Sequence, residues 1–120
     1  NIPESCQAQV TDYYGLVSGA EVDKSVPLGS FYGKLQNVPM LKTCPVNLEC
    51  KLFKRVELGG AFELFIGQIV ETYVKDSVLT DGKPDMRKID PIVYSTTDHL
   101  YFKVGDVLGK AFEMGKVLKK

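Results

Sequence analysis

The chain has 120 residues and a mass of 13.3 kDa, one domain's worth of sequence. Fifteen Lys and Arg balance fifteen Asp and Glu. No overall field steers phosphates towards such a chain, which argues against a nucleic-acid partner. The hydrophobic share of 44% excludes disorder. No apolar run approaches the roughly 20 residues of a membrane helix, so no membrane partner is expected. Three cysteines, an odd number, do not suggest a closed disulfide framework, and a reducing cytoplasm fits best.

The chain opens Asn1-Ile2-Pro3. Ile2 reads as the end of a strand, and the expectation is the back part of a longer protein. Ser5 is placed to cap a helix over 5–14, with Cys6, Val10 and Tyr13 at helical spacing and Gly15 as its C-cap. Residues 16–30, with Ser18-Gly19, Ser25, Pro27 and Gly29, read as a structured loop containing one helical turn. From Phe31 the period changes to two, which predicts a strand to Gln36, broken by Asn37-Val38-Pro39. Val46, Leu48, Cys50 and Leu52 alternate with Asn47, Glu49 and Lys51, so a half-buried strand is predicted over 46–58. Gly59-Gly60 marks a hairpin turn, and Phe62, Leu64 and Ile66 open a second long strand running to Tyr73. Hairpins of this length usually belong to a barrel or a coiled sheet, because flat ones leave exposed edges. A helical turn follows at 76–79, and Thr80 to Asp85 is a polar turn cluster. Short strands are predicted at 91–94 and 99–104. Asp106 then caps a final helix with Val107, Leu108, Ala111, Phe112 and Met114 as its apolar face and Lys116, Lys119 and Lys120 near its end. Consecutive strands without long helices between them indicate an antiparallel, mainly β fold with flanking helices, and not a βαβ nucleotide fold.

No catalytic residue stands out. Cys44 and Cys50 are six apart, which is not the spacing of a redox or zinc pair. Cys50, on the inward phase of its strand, reads as a buried thiol. Cys44, before Pro45, reads as the more exposed one. The single histidine, His99, follows Asp98 without a nucleophile motif and reads as a turn residue, and it leaves no metal-ligand set. Glu49 and Glu57 occupy outward strand positions and read as solvated. Gly15 to Gly19 does not form a dinucleotide fingerprint, and no Walker sequence is present. Lys24, in its loop, and Tyr94 and Tyr101, on short strands, read as solvated or rim residues from composition alone.

Several strings are more specific. Thr11-Asp12-Tyr13-Tyr14-Gly15-Leu16-Val17-Ser18-Gly19 with Val22-Asp23-Lys24 resembles the centre of the flavoredoxin group in the flavin reductase-like, FMN-binding split-barrel family. Cys44-Pro45-Val46-Asn47-Leu48-Glu49-Cys50, Leu64-Phe65-Ile66-Gly67-Gln68-Ile69-Val70, Leu79 to Asp85, Asp90-Pro91-Ile92-Val93-Tyr94 and Tyr101-Phe102-Lys103-Val104-Gly105 match that group in order. The resemblance covers nearly the whole chain. It implies a Greek-key split barrel over 1–120 lacking its N-terminal part, the segment that grips the FMN phosphate. It also implies a homodimer with FMN near its interface, and electron transfer between a donor, NAD(P)H or a redox protein, and an acceptor. Lys24 matches the family's loop lysine beside the flavin, and Tyr94 and Tyr101 match aromatic positions near the ring. Phe62 stands where many members carry a histidine, which replaces a hydrogen-bond donor by packing alone. A flavin supplies the redox chemistry itself, so a catalytic triad is not required. Two other classes compete with this reading: a flavin-free binding module on the same barrel, and a thiol-redox protein using Cys44 and Cys50. The 120 residues alone are expected to bind FMN weakly.

Overall fold

The computed structural model describes residues 1–24, 28–60 and 62–119. Ser25, Val26 and Pro27 of the predicted loop, and Lys120 of the predicted last helix, lie outside them. The described chain is mainly β. Its strands are β1 (Ser30–Tyr32), β2 (Pro39–Leu41), β3 (Val46–Glu57), β4 (Glu63–Val74), β5 (Leu79–Thr80), β6 (Lys83–Pro84), β7 (Ile92–Ser95) and β8 (Leu100–Lys103). Two α-helices, α1 (Ala8–Leu16) and α2 (Met86–Ile89), join them. The strands pair consecutively as four antiparallel two-stranded ribbons, β1–β2, β3–β4, β5–β6 and β7–β8. Among the described residues the ribbons stay open and do not close into a barrel.

The β3–β4 ribbon dominates. Alternation and the glycine pair place it where the sequence predicts, with Val46 opposite Val74 at its base and Glu57 opposite Glu63 at its tip. Gly59 and Gly60 both take left-handed backbone, φ +79° and +75°, which only glycine adopts freely. Register shifts after Glu49 and after Leu52 add local twist along the ribbon. Its base is packed on both sides, and its outer half is covered on neither: Leu52, Phe53, Phe65 and Ile69 are exposed.

The core lies at the base. Val46, Val78 and Ile89 are buried together, flanked by Ile2, Leu48 and Val74. The N-terminal segment ties this base to β7. Ile2 bridges Val46, as a strand end would, and Glu4 bridges Pro91. Residues Ser5–Gln7 form a 3-10 turn ahead of α1. The Ser5 hydroxyl does not cap α1. It donates to Asp90 Oδ2, whose carboxylate also receives Lys103 Nζ at 3.1 Å. Gly15 lies inside α1, and the helix ends at Leu16 with Val17 as its cap.

Asp85 caps α2. Its carboxylate accepts from the Arg87 backbone at 3.0 Å and the Thr80 hydroxyl at 2.8 Å. The Arg87 guanidinium closes on the same group, Nη2 lying 3.1 Å from Oδ2. Hydrogen bonds from Arg87 and then Thr80 hold the Asp85 carboxyl well below the usual carboxylate range. The Ser5 hydroxyl and then Lys103 lower Asp90. Carboxyls depressed in the folded state stabilise above their unfolded pKa, about 3.9, and lose that contribution as pH falls through the folded value. The urea midpoint is therefore expected to fall as pH drops below about 4, and Asp90→Asn is expected to flatten that fall. A midpoint equal at pH 6 and pH 3 would contradict this assignment.

Further expectations are corrected. The strand predicted over 31–36 stops at Tyr32, because residues 33–36 turn away and Gln36 is left-handed at φ +58°. The polar turn cluster at 80–85 does turn, at Asp81 and Gly82, where it closes the short β5–β6 hairpin before running on into α2. The last helix does not form. Residues 104–110 are irregular and only a 3-10 turn, Met114–Leu118, follows. Gly105, Gly109 and Gly115 interrupt the segment, and its apolar side chains find no cover, with Leu108 92% and Phe112 96% exposed. A short helix in water needs such packing to offset its entropy.

The remaining corrections concern burial. Glu49, read as solvated, is fully buried at 0% exposure. Its Oε1 accepts from Leu35 N at 2.8 Å, and its Oε2 from Lys34 N at 3.0 Å and the Tyr73 hydroxyl at 3.2 Å. Cys44, read as the more exposed thiol, is buried, and burial pushes it up from the usual thiol range. Cys50 is only half-buried, because the ribbon loses its cover just beyond it. All three thiols are free, so Cys44 and Cys50 form no disulfide.

Candidate functional site

The chemistry-bearing side chains gather around α1 and the β7–β8 hairpin. Tyr94 and Tyr101 are direct cross-strand partners, so their rings meet on one face of the hairpin. Their centroids are 5.1 Å apart and their planes inclined by 42°. Both rings remain partly open to solvent, at 47% and 37% exposure. Each hydroxyl is tethered. Tyr94 Oη lies 2.9 Å from His99 Nδ1, and Tyr101 Oη donates to Asp12 Oδ1 on α1 at 3.2 Å. Desolvation, and next the Asp12 carboxylate, raise the Tyr101 phenol above the usual tyrosine range.

Lys24 reaches the same helix. Its ammonium donates to the Tyr14 carbonyl at 2.8 Å, near the C-terminal end of α1, where the helix dipole favours a cation. Asp12 and Tyr14 are two residues apart, about 3 Å along the axis. Helix α1 thus touches both groups, Lys24 through the Tyr14 carbonyl and the tyrosine pair through the Asp12 side chain, although positions two apart on a helix do not share a face. Lys24 also lines an open concavity of about 430 Å³ made by residues 19–24. An ammonium holds three N–H donors, so the bond to Tyr14 leaves donors for an anionic group. The exposed, tethered ring faces suit a planar aromatic ligand, and the Lys24 cation suits a negatively charged group.

Phe62 is not brought to this region. It sits beyond the tip of the β3–β4 ribbon, 79% exposed. That is roughly 35 Å along the strands from the base at Val46, at the usual rise per residue. A sequence reading could name Phe62, Lys24, Tyr94 and Tyr101, but not their spacing in space. It missed Asp12 as a partner of Tyr101 and gave His99 no partner beyond its neighbour. The available signal was the short Tyr94-to-His99 separation across a turn. Among the described residues, no cluster of His, Cys, Asp and Glu could hold a metal ion. No helix among them is long and apolar enough to cross a membrane.

Behind α1 lies a second, mostly apolar cavity of about 180 Å³, lined by Val10, Tyr14, Leu41 and Cys44 among others. Among the described residues the buried Tyr14 hydroxyl has no hydrogen-bond partner. Burial raises the Tyr14 phenol.

Comparison with known proteins matches residues 1–100 to the family described as "Flavin reductase like domain". Among solved structures, the flavoredoxin from Methanosarcina acetivorans is 42% identical with a TM-score of 0.91, over 99% of this chain and 63% of that one. The flavoredoxin of Desulfovibrio vulgaris (Miyazaki F) is 35% identical with a TM-score of 0.85, over 96% of this chain and 62% of that one. An uncharacterized protein of Archaeoglobus fulgidus is 39% identical over 74 residues, which are 60% of this chain and 41% of that protein. The chain thus spans less than two-thirds of the length of each relative.

Proposed function

Since this chain belongs to the flavin reductase-like domain family, we propose that it binds a flavin, FMN, and serves electron transfer between a reduced donor, NAD(P)H or a redox protein, and an acceptor. The observation that carries this reading is the ordered likeness of the whole chain to two flavoredoxins, at 42% and 35% identity. The site fits the cofactor. Lys24 offers a cation for a phosphate or an electron-rich ring edge, and Tyr94 and Tyr101 offer tethered ring faces for a planar ring system. A bound flavin would supply hydride and single-electron chemistry, and the chain would supply position, charge and shielding from water. The protein is then an FMN-dependent oxidoreductase without a catalytic side chain of its own, working in the cytoplasm, where its three free thiols stay reduced.

The finer fold reading is a Greek-key split barrel, one domain over 1–120 that is completed by a further segment, and a homodimer. Exposed surface leaves room for both the further segment and the second copy. The chain alone exposes 9533 Å², whereas a compact monomer of its mass exposes about 6,500 Å². Its radius of gyration is 17.5 Å, against about 14 Å for a compact domain of this length. The difference in area is surface that a further segment and a second copy would cover between them. In such a dimer the ribbon tip with Phe62 reaches towards the partner's site, which gives Phe62 a place beside the flavin that one chain does not provide.

The test uses the protein expressed from its complete reading frame. It is expected to elute in gel filtration at the mass of two chains with flavin absorbance bands in the same peak. Lys24→Gln is expected to weaken FMN binding about 10-fold, the loss of one charge-assisted contact. A colourless single-chain peak, or a Lys24→Gln protein with unchanged affinity, would count against the reading and against the role of Lys24 respectively.

A further inference from the structure

Tyr94 and Tyr101 lie on a short exposed hairpin, where phenol rings would ordinarily move between rotamers. Here both ring ends are tied, Tyr94 Oη to His99 Nδ1 at 2.9 Å and Tyr101 Oη to Asp12 Oδ1 at 3.2 Å. The two tethers come from different elements, one from the turn that joins β7 to β8 and one from α1. His99 also holds a left-handed backbone, φ +55°. Glycine serves such a turn better than histidine, which with asparagine is among the side-chain-bearing residues that adopt it most often. What histidine adds at this position is the imidazole, and the imidazole is spent on Tyr94.

We propose that His99 and Asp12 are positioning residues, which fix Tyr94 and Tyr101 as a rigid shelf whose exposed faces receive the ring of a planar aromatic ligand. The assignment of FMN as that ligand rests on the function proposed above. Side chains that must be immobilised on binding weaken affinity, and tethers made beforehand remove that cost. The shelf thus selects for ring systems through shape, and leaves phosphate recognition to cationic groups such as Lys24.

The backbone and side-chain roles of His99 separate cleanly. His99→Gly suits the left-handed turn and removes the tether. His99→Asn suits the turn and keeps a polar atom near the place of Nδ1. In FMN titrations of the protein from its complete reading frame, His99→Gly is expected to bind about three- to ten-fold more weakly, with His99→Asn close to the unsubstituted protein. Its unfolding midpoint is expected to be unchanged or raised. Asp12→Ala is expected to weaken binding similarly, with Asp12→Asn retaining most of it. A His99→Gly protein that binds FMN as tightly as the unsubstituted one overturns the proposal, since the histidine then serves the turn alone. Tyrosine near-ultraviolet circular dichroism gives a readout that needs no ligand. Loss of that signal in His99→Gly and its retention in His99→Asn supports a fixed shelf, and an unchanged signal in His99→Gly overturns it. If the unsubstituted protein binds no FMN, the flavin reading fails, and the circular dichroism comparison still decides whether the rings are held.

Discussion

Glu49→Ala is expected to destabilise the fold by about 3 kcal/mol, the largest effect of any single substitution considered. The carboxylate is fully buried and receives two backbone N–H groups and one phenol. Truncation leaves the Leu35 amide and the Tyr73 hydroxyl without their acceptor, while the Lys34 amide keeps the Tyr73 oxygen at 3.1 Å, and each unsatisfied buried donor costs about 1–3 kcal/mol. Partial access of water to residues 34–35 keeps the sum near the lower end. Glu49→Gln tests the sign of the charge. Its amide turns one end from acceptor to donor, so one of the oxygen positions faces a donor it cannot serve. The glutamine variant is expected to lose about half as much, measured by urea denaturation. Equal stability of the alanine variant and the parent would mean that the loop at 33–36 is held by something other than Glu49.

Gly33→Ala is the second large effect. A Cβ built at Gly33 would fall against the Tyr73 hydroxyl, 2.7 Å from Tyr73 Cζ and 2.8 Å from Glu49 Oε2. Real Cβ atoms do not come so near, and Tyr73 is held by an edge-on contact with Phe31 at 5.7 Å as well as by Glu49. The strand or the ring must shift, at an expected cost of about 1–3 kcal/mol. Gly33→Ala combined with Tyr73→Phe removes the hydroxyl and is expected to recover part of the loss, which a double-mutant cycle measures. Strict additivity of the two substitutions would show that the methyl and the hydroxyl do not meet.

These two positions also show where reading the sequence stops. Alternation and Gly59-Gly60 place the β3–β4 ribbon almost to the residue, because its signal is local and regular. The same alternation puts Glu49 on the polar face. Its donors stand 14 and 15 positions upstream, in a turn that alternation does not describe. Cys44 is buried for a similar reason, since the segments around it fold over it. The C-terminal segment has the apolar spacing of a helix, but spacing states a preference and not a partner, and Leu108 and Phe112 face solvent. At the candidate site, Tyr94 and Tyr101 could be named from family likeness and become neighbours through the β7–β8 register. Asp12 as a tether could not be foreseen, because it depends on how α1 lies against that hairpin. Phe62 was legible as a residue, yet its distance from the others follows only from the straight run of the ribbon.

The acid sensitivity of Asp85 and Asp90, the effect of Lys24 and the behaviour of His99 each examine one part of the account. The central claim is flavin binding by this family member, and an equilibrium titration of FMN fluorescence tests it most directly. The protein from its complete reading frame is expected to quench FMN saturably, at one flavin per chain, and the 120-residue chain alone is expected to quench it more weakly. Undiminished FMN fluorescence at saturating concentrations of the complete protein would contradict the claim.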